Sequence, residues 1–223
     1  MFTKVFFDGS SRVPLIISAG NKIEINRNVV INNLTSSLDL FPTLLAMANV
    51  SVPANISSKL DGYNILPFVT NKNYSNENIR PNYIMSQFHG DDIHLSWFML
   101  RKDNWKYVTY GSGHEVPVRL YDMVNDPNEM NDLGQNDTYD SVVAQMDTLL
   151  RSIIDYPSIA TNVEAYNKDS FVLWRDAFPN QTSYMETISS LRWNVSWTYD
   201  PPACYLAIDE WLKTPNDTFF WAF

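Results

Sequence analysis

Residues 83–122 decide the fold and read YIMSQFHGDDIHLSWFMLRKDNWKYVTYGSGHEVPVRLYD. Four short runs in this stretch are rich in aromatic and β-branched residues: Tyr83–Phe88, Ser96–Arg101, Trp105–Tyr110 and Val118–Tyr121. Such runs, when turn residues bound them, are typical of strands. Asp103 and Asn104 predict a hairpin turn between the second run and the third, and Gly111 with Gly113 turns the chain toward the fourth. We therefore expect a four-stranded antiparallel sheet.

The chain after this sheet has the periodicity of helices. In Tyr139–Asp155, apolar residues recur every three or four positions, and Pro157 is expected to end this helix. Further helices are predicted over Val163–Phe178, Tyr184–Trp193 and Tyr205–Lys213. Residues 83–223 are thus expected to form a C-terminal subdomain, with the sheet at 83–122 and helices within 138–213.

The first 82 residues have a different pattern. Val13–Ser18 is a short continuous apolar run, which predicts a strand covered on both faces in a larger sheet. Ser37–Asn49 predicts a helix that Asp39 caps and that buries an apolar face including Phe41 and Leu44. Residues 50–82 are polar and predict a long surface loop. We expect residues 1–82 to be the last part of an α/β domain.

Composition excludes several classes of protein. The 223 residues carry a net charge of −9, and their basic residues are scattered, so no basic patch indicates a nucleic-acid partner. No apolar run approaches the roughly 18–20 residues of a membrane span. Cys204 is the only cysteine, which excludes a disulfide framework, a Cys-rich zinc site and a CxxC redox motif.

N-glycosylation motifs are abundant in this sequence. Eight asparagines begin N-x-S/T without proline: Asn33, Asn49, Asn55, Asn73, Asn136, Asn180, Asn194 and Asn216. This number favours a glycoprotein that is secreted or lysosomal. The first residues are not a secretory leader, because charged residues interrupt them and the apolar run that follows is too short. Either these motifs are accidental or the true N-terminus of the gene product lies upstream, and we favour the second interpretation.

Two places could carry chemistry. His89–His94 reads HGDDIH, and its side chains could bind a metal, contact a substrate through His89 or play a structural role. Near the start, Lys4 and Arg12 could each neutralise a sulfate or phosphate, or be solvated surface charges. The acidic stretch Asp122–Leu133 cannot be an EF-hand loop, because Pro127 occupies the position of the required glycine, and it indicates a structural turn.

Several stretches resemble the C-terminal half of the sulfatases. Lys4–Ile17 (KVFFDGSSRVPLII) resembles the family's K…F-Y/F-E-G-S-x-R-V-P-L segment, and Ser37–Leu45 (SLDLFPTLL) resembles its V-D-L-x-P-T-L-L helix. Asn104–Val108 (NWKYV), Leu120–Asp122 and Asp126–Glu129 (DPNE) resemble its hairpin W-K-Y…L-Y-D-L-x-x-D-P-x-E. Further stretches, in this order, resemble one subgroup of the family: SQFHG at 86–90, FMLR at 98–101, LRSIIDYP at 150–157, YNKDSFVLW at 166–174, LRW at 191–193 and EWLK at 210–213.

The resemblance implies an alkaline-phosphatase-like α/β fold and hydrolysis of sulfate esters. For this subgroup it implies 2-sulfated uronates of glycosaminoglycans as substrates of the complete enzyme. In the family, a formylglycine made from the cysteine of C-x-P-x-R attacks the sulfur, and Ca²⁺ held by acidic and Asn or His side chains polarises the sulfate. Both the C-x-P-x-R motif and the D-H-G or D-N-G metal motif are absent from this sequence.

The resemblance transfers only two site residues to this chain. The family's sulfate-binding lysine falls near Lys4, although this chain is one residue shorter between that lysine and the FFDG stretch, and His89 is expected to face the substrate. Arg12, Trp105, Asp122 and Asp126 match motif positions of structural type. We expect this chain to be a fragment, a truncated gene model or a degenerate paralogue that is inactive without the N-terminal half of the fold. The alternatives are a non-catalytic module that binds sulfated glycans, or a phosphodiesterase relative of the same superfold.

Overall fold

The computed structural model describes residues 6–20, 24–70, 80–89, 96–114, 116–180, 182–183, 186 and 201–215. The chain divides into two compact units, each built from several segments. The first unit comprises Met1–Ser86, Met99–Val108 and Arg119–Met146, and the second comprises Gln87–Phe98, Thr109–Val118 and Asp147–Phe223. The boundary that the sequence suggests between residues 82 and 83 stays a prediction.

The predicted four-stranded antiparallel sheet is confirmed. Its strands are β1 (Tyr83–Phe88), β2 (Trp97–Lys102), β3 (Trp105–Tyr110) and β4 (Arg119–Asp122), in that spatial order. In the β3–β4 pair, Trp105 lies opposite Asp122 and Val108 opposite Arg119. Asp103 begins the β2–β3 turn at a φ of 49°, a left-handed conformation that Asp tolerates in tight turns. Every position of β3 after Trp105 is buried.

The described residues of the first unit include four short helices: α1 (Asp8–Ser11), α2 (Leu40–Met47), α3 (Ala54–Ser57) and α4 (Leu66–Thr70). A 3-10 turn, Ser37–Asp39, leads into α2. The Ser36 hydroxyl accepts from the Leu38 amide, and the Asp39 carboxylate accepts from the Ser36 amide in return. The predicted helix is present, but it comprises this turn and α2 over Leu40–Met47, and Ser36 caps it in place of the predicted Asp39.

The prediction of a long surface loop over residues 50–82 is wrong where α3 and α4 lie within it. Ile65, Phe68 and Val69 are buried, and this apolar burial stabilises α4 although its sequence is too short to show a period. Asn64 helps to start the helix, since its side-chain oxygen accepts from the Leu66 amide.

The predicted strand at Val13–Ser18 is wrong as well. Residues 12–20 form no regular element, and Val13 and Ile16 are 73% and 87% exposed. A strand needs hydrogen bonds from a neighbour, and none of the described segments pairs with this run. The apolar face expected on α2 is also open to solvent, because Phe41 is 53% and Leu44 60% exposed.

Three longer helices follow the sheet in the part of the chain that the structure describes: α5 (Asp140–Ile153), α6 (Tyr156–Asp176) and α7 (Pro201–Lys213). Pro157 lies in the first turn of α6, where proline loses no hydrogen bond, so this helix begins seven positions before the predicted Val163. Most of the helix predicted over Tyr184–Trp193 lies outside the described residues. No helix among the described residues is both long and apolar enough to cross a membrane.

Candidate functional site

A buried ion cluster joins three distant stretches of the first unit. Lys106, on β3, is fully buried, and its Nζ lies 3.0 Å from Asp8 Oδ1 and 2.5 Å from Glu129 Oε1. The Asp8 amide also donates to Glu129 Oε2 over 2.7 Å. A buried ammonium requires partners of this kind, because desolvation without them costs several kcal/mol. The cluster connects the stretches DGSSR, NWKYV and DPNE, which carry the resemblance described above.

The loop after β4 presents Glu129 to this cluster. The Asp126 carboxylate accepts from the amides of Met130 and Asn131, at 3.1 and 2.7 Å, and so closes the turn. Glu129 itself has a φ of 57°, in the left-handed region that a non-glycine residue enters at a cost of about 1–3 kcal/mol. The hydrogen bond from the Asp8 amide and the ion pair with Lys106 offset that cost. The structural role predicted for Asp126 agrees with this geometry.

Aromatic packing fixes the segment around Asp8. Phe6 is buried, its ring lies 4.5 Å from that of Phe7, and the guanidinium of Arg119 lies 5.8 Å from the Phe6 ring. The Phe7 ring meets Tyr121 of β4 edge-on at 6.1 Å. In α1, the amides of Ser11 and Arg12 donate to the carbonyls of Phe7 and Asp8. Residues 6–12 are therefore anchored by side chains on both sides of Asp8.

Other cations lie close to Asp8. Arg12 is solvent-exposed and forms a loose ion pair with Asp8 at 3.9 Å. Arg101 is half-buried beside both of them, and burial lowers the pKa of its guanidinium while the charge of Asp8 opposes that shift. Lys4, the sulfate-binding residue predicted from the sequence, lies outside the described residues. Three cations, Lys106, Arg12 and Arg101, thus lie near Asp8.

His89 follows β1 in the second unit. Its ring meets Phe98 edge-on at 5.5 Å, and its Nδ1 is a buried atom without a hydrogen-bond partner among the described residues. Burial lowers the pKa of this imidazole below its ordinary 6.5. A neutral imidazole carries one donor and one acceptor nitrogen, which suits a hydroxyl-rich ligand better than it suits an ion pair. The rest of the HGDDIH cluster, residues 90–94, lies outside the described residues.

A second buried ion pair, Asp39 with Arg80, lies in the first unit and could not be predicted from the sequence. Arg80 Nε lies 3.4 Å from Asp39 Oδ2, and both side chains are at least 95% buried. Asp39 Oδ1 accepts from the Tyr63 amide at 2.9 Å, and Arg80 also donates to the Leu34 carbonyl. The pair therefore holds the start of α2 against the chain on both sides of it.

The described residues do not fit a calcium site. In the parts of the chain that the structure describes, no three side chains of His, Cys, Asp or Glu gather where they could hold a metal ion. The carboxylates of Asp8 and Glu129 are paired with Lys106, whose positive charge opposes a cation there. The side chain of Cys204, the only cysteine, lies on α7 outside the described part.

The described asparagines of the glycosylation motifs lie at or near the surface. Asn33 is half-buried, and four others are exposed: Asn49, Asn55, Asn136 and Asn180. Asn136 uses its Oδ1 to cap a 3-10 turn by accepting from the Thr138 amide, and this leaves its Nδ2 outside that bond. Asn73, Asn194 and Asn216 lie outside the described residues.

Lys106 and Glu129 are the site residues that sequence reasoning missed. A lysine within WKYVTY has a signal that could have found it, because both faces of that strand are rich in apolar or aromatic residues. A strand buried on both faces leaves a lysine no route to water, so a carboxylate partner is required. Nothing in the local sequence identifies that partner, which lies 23 positions away.

Comparison with known proteins defines the class of this chain. A family model described as N-sulphoglucosamine sulphohydrolase, C-terminal, matches residues 1–155. That match covers well over half of the 223 residues, so the chain belongs to this sulfatase family. The sulfatase fold class that the motifs predict is thereby confirmed.

The curated relatives that it resembles are arylsulfatase K proteins. The chain is 38% identical over 212 residues to arylsulfatase K of Xenopus laevis, 34% over 215 residues to that of Bos taurus and 32% over 212 residues to that of Homo sapiens. These matches cover 93–95% of this chain but only 37–38% of the relatives. The chain therefore spans less than two fifths of their length.

Two solved structures are similar over about half of the chain. A 2-O GAG sulfatase is 27% identical, covers 54% of this chain and 24% of its own, and has a TM-score of 0.42. The phosphonate monoester hydrolase of Agrobacterium radiobacter is 22% identical, covers 55% of this chain and 26% of its own, and also has a TM-score of 0.42.

Proposed function

We propose that this chain contributes the C-terminal part of a sulfuric ester hydrolase, which in its complete form removes 2-sulfate from uronates of glycosaminoglycans. The observation that supports this most is the match of more than nine tenths of the chain to arylsulfatase K. Three motifs that resemble the family each contribute one residue to the Lys106 cluster, and this adds support, because a single set of contacts then explains all three motifs.

Two residues of this chain are proposed to meet the substrate. Lys4 supplies a point charge for a sulfate oxygen, and it lies two positions before the buried, anchored Phe6. His89 contributes a largely neutral imidazole that can exchange hydrogen bonds with sugar hydroxyls. Neither residue supplies a nucleophile, and the sequence has no C-x-P-x-R motif from which a formylglycine could be made.

Calcium and formylglycine would supply sulfate polarisation and the nucleophile in the complete enzyme. Since the described residues do not fit a calcium cage, these groups belong in this proposal to the N-terminal half of the fold. This chain then binds and orients the substrate, and alone it is inactive.

The partner of this chain is proposed to be that N-terminal half. The first unit exposes large apolar side chains along α2, among them Leu40, Phe41, Leu44 and Met47. A cavity of about 340 Å³ lies next to that helix, and Leu45, Ala46, Val50, Leu60 and Tyr63 are among its lining residues. Apolar surface of this kind normally meets another protein surface.

The proposal also includes a lysosomal or secreted location, with glycans on the exposed asparagines.

The test is a fusion experiment. The chain is produced alone, and also fused behind the part of Xenopus laevis arylsulfatase K that it does not match. Sulfate release is measured on a 2-sulfated glucuronate oligosaccharide, with a 6-sulfated glucosamine oligosaccharide as the control substrate. We expect release only by the fusion and only from the first substrate. Lys4→Ala should lower kcat/KM of the fusion by about a hundredfold, the order found for one charge-stabilising donor. Lys59→Ala, on an exposed lysine, is the matched control.

Each contrary result has a specific meaning. Sulfate release by the chain alone would contradict its proposed inactivity. A folded fusion that releases nothing, but binds heparin-like chains in a salt-sensitive and Lys4-dependent way, would favour the non-catalytic module. Cleavage of a phosphodiester in place of the sulfate ester would favour the phosphodiesterase alternative.

A further inference from the structure

We propose that two apolar runs of the first unit, residues 13–17 and 29–31, form a docking surface for the N-terminal half of the fold. The runs read VPLII and VVI. This inference deepens the proposed function and rests on it for the identity of the partner. It adds the two runs to the exposed face of α2, and it concerns the burial of their side chains.

The exposure of these runs is unusual for a protein surface. Val13 is 73%, Ile16 87% and Val30 86% exposed. Single exposed apolar residues are common on proteins, but three or four in succession normally have a function. Residues 13–16 are all exposed, and so are residues 29–31. Each run is therefore a candidate interface.

Hydrogen bonds hold the chain between the two runs. The Arg27 guanidinium donates to the carbonyls of Ala19 and Gly20, each over 3.0 Å. The Asn26 amide donates to the Val69 carbonyl at 2.7 Å, which fastens this part of the chain to α4. An interface whose backbone is already held loses less conformational entropy when a partner binds.

The chain is also held outside the two runs. Before the first run, Asp8 is fixed by Lys106 and Glu129. After the second run, the Leu34 carbonyl accepts from the buried guanidinium of Arg80. Both runs therefore lie between fixed points of the first unit, although most of their side chains are open to solvent.

The distribution of apolar surface indicates which unit the partner contacts. Among the described residues, all but three of the large apolar side chains that are exposed belong to the first unit, and the three are Tyr166, Leu173 and Leu206. Apolar surface that is concentrated in this way marks an interaction site. The first unit is therefore the one that lacks a neighbour.

The length of the relatives identifies that neighbour. This chain covers only 37–38% of the arylsulfatase K proteins, so more than three fifths of each relative has no counterpart in it. A continuous apolar run is typical of a segment that an α/β domain covers on both faces. The unmatched part of the fold is thus the proposed partner, and a second copy of this chain is the alternative that the experiment must exclude.

The experiment measures side-chain exposure in the chain alone and in the fusion with the unmatched part of Xenopus laevis arylsulfatase K. Hydroxyl radicals oxidise exposed side chains, and mass spectrometry locates the oxidised residues. We expect oxidation of Ile16 and Val30 to be about tenfold slower in the fusion, the ratio between their exposure here and that of a core side chain. Leu173, 75% exposed on α6, is the internal control and should react equally in both proteins.

Substitutions test the same surface through stability. In the chain alone, Ile16→Asp and Val30→Asp should each leave the melting temperature within about 2 °C, because both side chains are exposed. In the fusion, each should lower the melting temperature by about 5 °C or more, because the aspartate would be buried without a partner. Leu173→Asp is the matched control and should have a small effect in both proteins.

Unchanged oxidation of both runs in a folded fusion would overturn the inference. Protection that appears in the chain alone and increases with its concentration would also overturn it, because a second copy would then cover the runs. If the Xenopus laevis fusion does not fold, a fusion with the unmatched part of Bos taurus arylsulfatase K takes its place. Protection without sulfate release would support the docking surface and count against the proposed function alone.

Discussion

Trp211 donates its indole N–H to the carboxylate of Glu164 over 2.8 Å and so connects α7 to α6 across 47 positions of sequence. The same indole packs edge-on against Phe171 at 5.5 Å, and Trp174 packs against Phe171 at 5.8 Å. These tryptophans therefore serve helix–helix packing.

Trp211→Phe should preserve the apolar contact and remove the hydrogen bond. Because the Glu164 carboxylate is buried, we expect a loss of about 1.5–3 kcal/mol in the free energy of unfolding, measured by urea denaturation. A double-mutant cycle with Glu164→Ala isolates the bond itself. A coupling energy near zero would show that the bond contributes nothing to stability.

Loss of the Asp39 charge should destabilise the first unit strongly. Asp39→Asn leaves the Arg80 guanidinium buried without its carboxylate, and breaking a buried pair from one side costs about 3–5 kcal/mol. The control is Asp176→Asn, which breaks an exposed pair with Arg175 and should cost at most about 1 kcal/mol. Equal losses in the two variants would contradict the importance of the buried pair.

Gly62→Ala should be far more harmful than Gly9→Ala. A Cβ at Gly62 would lie 1.9 Å from the Leu38 carbonyl oxygen, and a Cβ at Gly9 would meet nothing within 4 Å. Overpacking against backbone is expected to cost about 1–3 kcal/mol or more, whereas the Gly9 variant should stay within about 0.5 kcal/mol. Thermal unfolding of both variants checks this, and similar melting temperatures would be the contradicting result.

The free energy of unfolding should decrease as the pH falls, because of His89. Burial lowers the pKa of its imidazole in the folded chain below the ordinary 6.5, so the unfolded chain binds more protons between the two values. The contribution is therefore complete above pH 6.5 and is lost as pH falls through the folded pKa. NMR titration of the imidazole should give a midpoint below that of the same chain in urea. His89→Gln should flatten this part of the stability profile, and a midpoint above 6.5 would contradict the sign.

The sheet could be predicted from the sequence because its signals are local. Trp105–Tyr110 has the bounds that its aromatic and β-branched content suggests, and the Asp103-Asn104 turn fixes its pairing with β2. The helix α5 is predicted within two residues at each end by its apolar period. In these elements, local preference and tertiary packing favour the same structure.

The wrong predictions share a dependence on distant partners. Val13–Ser18 has the composition of a buried strand, but a strand forms only where a neighbour supplies hydrogen bonds, and composition does not reveal the neighbour. α4 forms because two of its apolar side chains, Phe68 and Val69, are buried together with Ile65 just before it, although the helix is too short to show a period. The Lys106–Glu129 contact has the same character. Its two members are unremarkable separately, and only the folded chain brings them together.

The buried ion cluster of Asp8, Lys106 and Glu129 sets an order of events during synthesis. Asp8 leaves the ribosome 121 residues before Glu129, its hydrogen-bond partner. At about 5–20 residues per second, the first segment waits roughly 6–24 s before its anchor exists. During that interval its apolar residues Phe6 and Phe7 lack their final contacts and are open to chaperones. The ion cluster can therefore form only after the ribosome has synthesised the whole sheet and the loop that follows it.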